Sequence, residues 1–409
     1  MNKFFILFLS TLFLSFSFCQ GRQESYVLLI SFDGFRADYL DWYDTPNIDK
    51  FTENGVRTIG MKPSFVTKTF PNHYSIATGM YVENHGLIGN EFYDQKLDDY
   101  YTLRDRNKVE DPKFYGGEPI WVSAEKQGVK TASFFWVGSE APIGGLYPSK
   151  WKRYDHDFPF GGRIDSVAHW FSLPQQERPR LCLLYFHEPD ATGHGFGPKS
   201  TETEIMVTQM DSIFGFLIEK MSNLDIFPQL DIIAVSDHGM AEISSDRTVD
   251  LSEYTNMEAI IQEGAGPYAM LYGGNVTAVE KAVVDLKKAP HISVFLKNKI
   301  PDRFHFKNNY RIKDALVLAD EGWYINYHQA ISSSSTAGIY TPTGGTHGYD
   351  NDLKSMHALF VANGPSFKNG VIAEPFENVN VYPMIAYILG IVPNPEIDGR
   401  LENTSHILK

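Results

Sequence analysis

Cysteine is almost missing from this 409-residue chain, which has only Cys19 and Cys182. A framework of several disulfides is therefore excluded. Lys/Arg-rich runs are missing as well, and the formal net charge is −14. The electrostatic footprint of a protein that grips a nucleic-acid backbone is thus lacking, and no duplex partner is expected. An acidic chain can still act on small anions where a local site supplies positive charge, and bound metal ions would do that. No internal repeat and no low-complexity linker breaks the sequence.

What is present is ordinary for a folded protein: hydrophobic residues make up 43% and charged residues 21%. The length allows one large domain or two. The N-terminus reads MNKFFILFLSTLFLSFSFCQG, with one Lys ahead of an apolar run from Phe4 to Phe18. At about 15 residues this run is short against the roughly 20 needed to span a bilayer. Its layout is that of a cleaved secretory signal, assigned to residues 1–19. A retained membrane anchor is the alternative. A lipoprotein reading through Cys19 is disfavoured, because bulky Phe18 stands where a small residue is normally required. Cleavage leaves Cys182 as the one thiol, in an apolar run and so expected buried. The expected product is an exported, periplasmic or extracellular monomer with no stable protein partner.

Several short apolar runs end abruptly in polar residues. Tyr26–Phe32 runs into Asp33-Gly34, Leu181–Phe186 into His187-Glu188-Pro189-Asp190, and Asp231–Ser236 into Asp237-His238-Gly239. Lys130–Val137 and His357–Asn363 look similar. Continuous rather than alternating hydrophobicity predicts strands covered on both faces, as in a parallel sheet. Helical stretches separate them. In Glu202–Met221 the residues Met206, Met210, Ile213, Leu217 and Met221 fall on one face, and Thr201 and Glu204 stand at capping-box spacing. Strands alternating with helices predict a doubly wound α/β fold with a mostly parallel sheet, in which ligands collect beyond the carboxyl ends of the strands.

Between Met240 and Thr346 the texture changes. Tyr268–Leu271 and Ile292–Leu296 read as short strands, Thr277–Lys288 as a helix with Val279, Val283 and Leu286 inward, and Asp314–Ile325 as a further strand pair. A smaller α+β insertion at about 241–340 is expected within a single domain of residues 20–409.

The chemistry is carried by four segments: Asp33; Asp190 and His194 in EPDATGHG; Asp237 and His238 in SDHGM; and His347 in THGYDN. Singly, each is a common cap or loop residue. Together, each follows a predicted strand or sits in a Gly-rich turn, so all can converge on one edge of the sheet. Three Asp and three His can hold two zinc ions with mixed nitrogen and oxygen ligands. The second component is Lys68-Thr69-Phe70-Pro71-Asn72-His73. Pro71 suits the first turn of a helix, which puts Thr69 at or just before its N-terminus. Thr69 is then either a helix cap or a nucleophile, whose hydroxyl a nearby metal would activate.

The motifs DGFR at Asp33, KTFPNHYSIATG at Lys68, ENHG at Glu83 followed by Asn90, FFWVGSE at Phe134, EPDATGHGFGP at Glu188, SDHGM at Ser236 and THGYDN at Thr346 occur in one order. In that order they resemble the nucleotide pyrophosphatase/phosphodiesterase family of the alkaline phosphatase superfamily. The likeness runs from about residue 26 to 395. No counterpart of the somatomedin-like and nuclease-like domains of larger animal relatives is expected in this sequence.

The resemblance implies one zinc held by Asp190, His194 and His347 and a second held by Asp33, Asp237 and His238, with Thr69 bridging towards it. Thr69 would be the nucleophile. It also implies that Asn90 donates to phosphoryl oxygens, that Phe70 and Tyr154 sandwich a nucleotide base, and that Tyr185 lines the same pocket. Tyr154 lies in a looser stretch (KRYDHDFPFGG), so its alignment is the one that can slip. The implied reaction is hydrolysis of nucleotide diesters or pyrophosphates to 5′-monophosphates through a covalent threonine intermediate. A phosphocholine-lipid or glycerophosphodiester phosphodiesterase would share the same metal ligands. A monoesterase is disfavoured because Phe-Pro follows the nucleophile and no Arg stands there to clamp a terminal phosphate. A catalytically inactive binding protein would have no need of all six ligands and Thr69.

Overall fold

The apolar run Tyr26–Phe32 forms a central strand of an eight-stranded sheet in the computed structural model, which describes residues 24–327 and 342–409. The signal assigned to residues 1–19 lies outside the described residues. Across the sheet the order is Val371–Ala373, Val56–Thr58, Phe360–Asn363, Leu230–Val235, Tyr26–Phe32, Leu181–Phe186, Thr131–Phe134 and Lys150–Lys152. Phe360–Asn363 pairs antiparallel with both neighbours, and the other pairs are parallel. The expected mostly parallel α/β architecture is what forms.

Alternate residues of the central strands enter two different cores. Leu28, Ile30 and Phe32 pack with Cys182, Leu184 and Ile232, whereas Val27 and Leu29 pack with Leu181, Leu183 and Ile233. Helices Pro46–Glu53, Phe160–Phe171 and Thr201–Ser222 cover the first face; Thr69–Thr78, Ile120–Lys126 and Val381–Leu389 cover the second. Burial on both sides is the physical reason these strands read as unbroken apolar runs. Each such side chain fully removed from water contributes roughly 1.5–3 kcal/mol.

Several local expectations need correction. The long helix begins one residue early, at Thr201, and its cap is Ser200, whose hydroxyl accepts the Thr203 amide at 3.1 Å. Its buried stripe is Val207, Met210, Phe214, Leu217 and Met221, with Met206 and Ile213 on the flanks. The strand read as Lys130–Val137 is only Thr131–Phe134, and that read as His357–Asn363 starts at Phe360. In the later region Tyr268–Tyr272, Ile292–Leu296, Ala315–Ala319 and Ile261–Glu263 make a separate four-stranded antiparallel sheet. Helix Val276–Leu286 packs on it through Val279, Val283 and Leu286. Asp314–Ile325 does hold two strands, but they do not pair with each other. Ala315–Ala319 joins that sheet, while Tyr324–Ile325 pairs with Thr248–Val249. No described helix is long and apolar enough to cross a membrane.

Candidate active site

Parallel strands that end together deliver their next residues to one edge, and here those residues are acidic. Asp33 follows Tyr26–Phe32, and Asp237 follows Leu230–Val235 with one serine between. Asp190 opens helix Asp190–Phe196 just beyond Leu181–Phe186, and its amide donates to the Asp33 carbonyl at 3.0 Å. That close approach depends on Gly34. At φ +67° a β-carbon there would lie 2.8 Å from the Asp190 α-carbon. His347 comes from Gly344–Thr346, which pairs with Ala241–Ile243.

Two groups of donors result. Asp190, His194 and His347 present atoms within 4.8 Å of one another, and so do Asp33, Asp237 and His238. The groups abut, because the His238 and His347 rings stack at 3.4 Å.

The imidazole tautomers follow from their outer contacts. Nδ1 of His194 faces the Gly345 carbonyl at 2.9 Å, that of His347 the Thr67 carbonyl at 2.8 Å, and that of His238 the Gly239 carbonyl at 2.9 Å. A carbonyl only accepts, so each Nδ1 carries a proton, and in the neutral form that can ligate a metal each ring turns a lone pair inward at Nε2. The inward lone pairs meet other lone pairs. His194 Nε2 is 3.1 Å from His347 Nε2, and His238 Nε2 is 2.9 Å from Asp237 Oδ2. Asp33 Oδ1, Asp190 Oδ1 and Asp237 Oδ2 are buried without a hydrogen-bond partner. Burial, with Asp237 and Asp190 close by, pushes the Asp33 carboxyl well above its usual range. Burial, helped by His238 and Lys68, pushes His347 well below the usual imidazole range. Converging lone pairs and crowded carboxylates in a buried site call for cations, and the residues present fit them.

Thr69 is the first residue of helix Thr69–Thr78, with Lys68 in the capping position and no side-chain cap. The capping alternative for Thr69 is therefore not realised; its Oγ1 lies 3.3 Å from His238 Nε2 instead. Asn90 sits beside it, its Oδ1 accepting the Phe70 amide at 2.9 Å. That bond leaves the Asn90 Nδ2 hydrogens as the outward donors. The Phe70 ring packs partly buried, 6.3 Å from Tyr101. Tyr154 packs 5.1 Å from Phe135 and 6.3 Å from Tyr185, and no ring contact joins it to Phe70 among the described residues. The Tyr185 hydroxyl donates to Asp33 Oδ2 at 2.6 Å, so this residue also orients a candidate metal ligand.

Two residues were not singled out from the sequence. Lys68 is half-buried with its ammonium end against Gly348, and burial lowers its pKa to about 8, partly opposed by Asp190. No carboxylate stands within ion-pair distance of it among the described residues. His73 is fully buried between Thr69 and Asp237. Its spacing was the available signal, since a residue four places after a helix-starting Thr lies on the same face.

A sequence profile of the family described as type I phosphodiesterase/nucleotide pyrophosphatase matches residues 27–350. The chain is 37% identical over 400 residues to a venom phosphodiesterase of Naja atra, and 37% identical over 400 residues to human ectonucleotide pyrophosphatase/phosphodiesterase family member 1. Each alignment takes in 95% of this chain but only 47% and 42% of those relatives, so the chain spans about half their length. A bis(5′-adenosyl)-triphosphatase of Xenopus laevis is 35% identical over 404 residues, covering 95% of this chain and 84% of that protein. Murine ectonucleotide pyrophosphatase/phosphodiesterase 5, solved as an inactive threonine-to-alanine variant in complex with AMP, superposes with a TM-score of 0.87 at 31% identity. That match covers 94% of this chain and 100% of the other.

Proposed function

Because this chain belongs to the type I phosphodiesterase/nucleotide pyrophosphatase family, we propose that it hydrolyses phosphodiester and pyrophosphate bonds of nucleotides to 5′-monophosphates, with Thr69 as nucleophile. The observation that carries this reading is the abutment of two three-residue donor groups beside the Thr69 hydroxyl. Asp190, His194 and His347 would hold one zinc ion and Asp33, Asp237 and His238 a second, together supplying Lewis-acid stabilisation of the phosphoryl oxygens and activation of the attacking oxygen.

The chain's own groups do the rest. Thr69 Oγ1 attacks phosphorus in line, forming an Oγ1–P bond as the bond to the leaving arm breaks. Thr69 then carries the nucleoside phosphoryl group until water cleaves the ester, restoring the hydroxyl and releasing the monophosphate. Asn90 Nδ2 donates to the phosphoryl oxygens, a preorganised dipole that needs no rearrangement during reaction. Lys68, whose ammonium end lies against Gly348 and within the electrostatic reach of Asp190, supplies positive charge beside the Asp190/His194/His347 group. The Phe70 and Tyr154 rings offer two faces for a base, and Tyr185 steadies Asp33. On the same reading residues 20–409 are one catalytic unit with a smaller insertion at about 241–340, exported and acting as a monomer. The names of the relatives, venom and ecto enzymes, support export.

Nucleoside 5′-monophosphate aryl esters should be hydrolysed faster than aryl phosphocholine, and an aryl phosphate monoester slowest. Stacking worth roughly 1–3 kcal/mol per base, if expressed in the transition state, gives about a 5- to 150-fold gain in kcat/KM. Phe70→Ala should lose that factor on the nucleotide ester and leave a small aryl diester nearly unchanged. A preference for phosphocholine, with Phe70→Ala indifferent to the base, would assign the chain to lipid or glycerophosphodiester substrates instead.

A further inference from the structure

His73 takes no part in the chemistry above, yet it is completely buried among its components. Its Nδ1 lies 2.9 Å from the Thr69 carbonyl and 3.4 Å from Asp237 Oδ2. Both are acceptors, so in the neutral ring Nδ1 carries the proton and Nε2 accepts from the Ser31 hydroxyl at 2.8 Å. Ser31 stands two residues before Asp33 at the end of the same central strand. The ring is wedged edge-on between Trp136 and Tyr185, each 5.2 Å away. The Trp136 indole donates to the His73 backbone carbonyl at 3.1 Å.

One side chain thus bonds to two elements, the strand leading to Asp33 and the first turn carrying Thr69, and stands 3.4 Å from a third, the loop carrying Asp237. The other donor group is tied through backbone carbonyls instead: His347 to Thr67, two residues before Thr69, and His194 to Gly345, with no buried side chain bridging it to the nucleophile's helix among the described residues. We infer that His73 is a positioning residue that fixes the spacing between the nucleophile's helical turn and the Asp33/Asp237/His238 group, and so supports one metal group and not the other. This rests on the two-metal reading above.

The test is a Zn²⁺ titration of chelator-stripped protein, with kcat and KM measured at saturating Zn²⁺. The wild type is expected to bind two ions. His73→Leu should bind one ion as the wild type does and the other about 10- to 100-fold more weakly, the usual cost of losing an outer-shell partner. Its kcat should stay low when Zn²⁺ is in excess, while KM for a nucleotide aryl ester moves by less than about threefold. His73→Asn places an amide donor near the Nδ1 position and should keep both ions and most of kcat. If His73→Leu does not fold, His73→Gln, with its amide one carbon too far out, carries the same expectation. The inference is overturned if the Leu (or Gln) variant holds both ions as tightly as the wild type, weakens both equally, or matches the Asn variant. A wild type that binds fewer than two ions would overturn the two-metal reading, and this inference with it.

Discussion

Replacing Thr69 with Ala should lower kcat/KM for a nucleotide aryl ester by at least about 10³-fold, about 4 kcal/mol of transition-state stabilisation. Removing a covalent nucleophile disables the whole catalytic unit, because the donors that surround it have no oxygen left to act on. The fold should survive. Thr69 makes no capping bond, and among the described residues its hydroxyl bonds only to His238 Nε2 at 3.3 Å, so the helix loses no backbone support. Metal content and melting temperature are therefore expected to stay near wild type. Thr69→Ser keeps the hydroxyl and should lose far less. Activity close to wild type in the Ala variant, at unchanged metal content, would reduce Thr69 to a bystander.

Stripping the metals should have an effect of comparable size. A chelator is expected to abolish turnover, and added Zn²⁺ to restore it, with elemental analysis of the active protein giving about two ions per chain. Stability should fall as well. Without cations, Asp33 Oδ1, Asp190 Oδ1 and Asp237 Oδ2 stay buried without hydrogen bonds, and the His194 and His347 lone pairs face each other at 3.1 Å. An ion present at a thousandfold excess over its Kd adds about 4 kcal/mol to the folded state, and the stripped chain should melt correspondingly lower. The pH dependence has a definite sign. Ligation requires neutral imidazoles and ionised carboxylates, so affinity and activity should both fall on acidification as protons compete for Nε2. A single ion in fully active protein, or activity untouched by chelation, would contradict the dimetal arrangement.

How much of this was legible in the sequence depends on how local the determining physics is. Tyr26–Phe32 and Leu181–Phe186 were readable to the residue because burial on both faces leaves an unbroken apolar run ended by a polar one. Asp33 and Asp237 were readable for the same reason, since a residue that ends a parallel strand sits at the ligand edge. The partner of Tyr324–Ile325 was not readable, because pairing with Thr248–Val249 is a long-range choice that leaves no mark in either segment. Ser200 was missed as a cap because Thr201 and Glu204 mimic the same spacing one residue later. At the site, the sequence shows that His194, His238 and His347 are present, but not which nitrogen each turns inward. That depends on the carbonyls of Gly345, Gly239 and Thr67, two of them far away in the chain. Lys68 and His73 were hidden inside a motif in which Thr69, Phe70 and Pro71 already had roles.

The central claim is that the chain attacks the phosphorus attached to the nucleoside. The most direct measurement is product analysis after zinc-loaded wild-type protein has acted on a nucleoside 5′-triphosphate, with the products separated by ion exchange. Attack by Thr69 with the nucleoside arm retained predicts nucleoside 5′-monophosphate and pyrophosphate in equal amounts. Nucleoside diphosphate with orthophosphate, or an intact nucleotide alongside a cleaved phosphocholine ester, would contradict it.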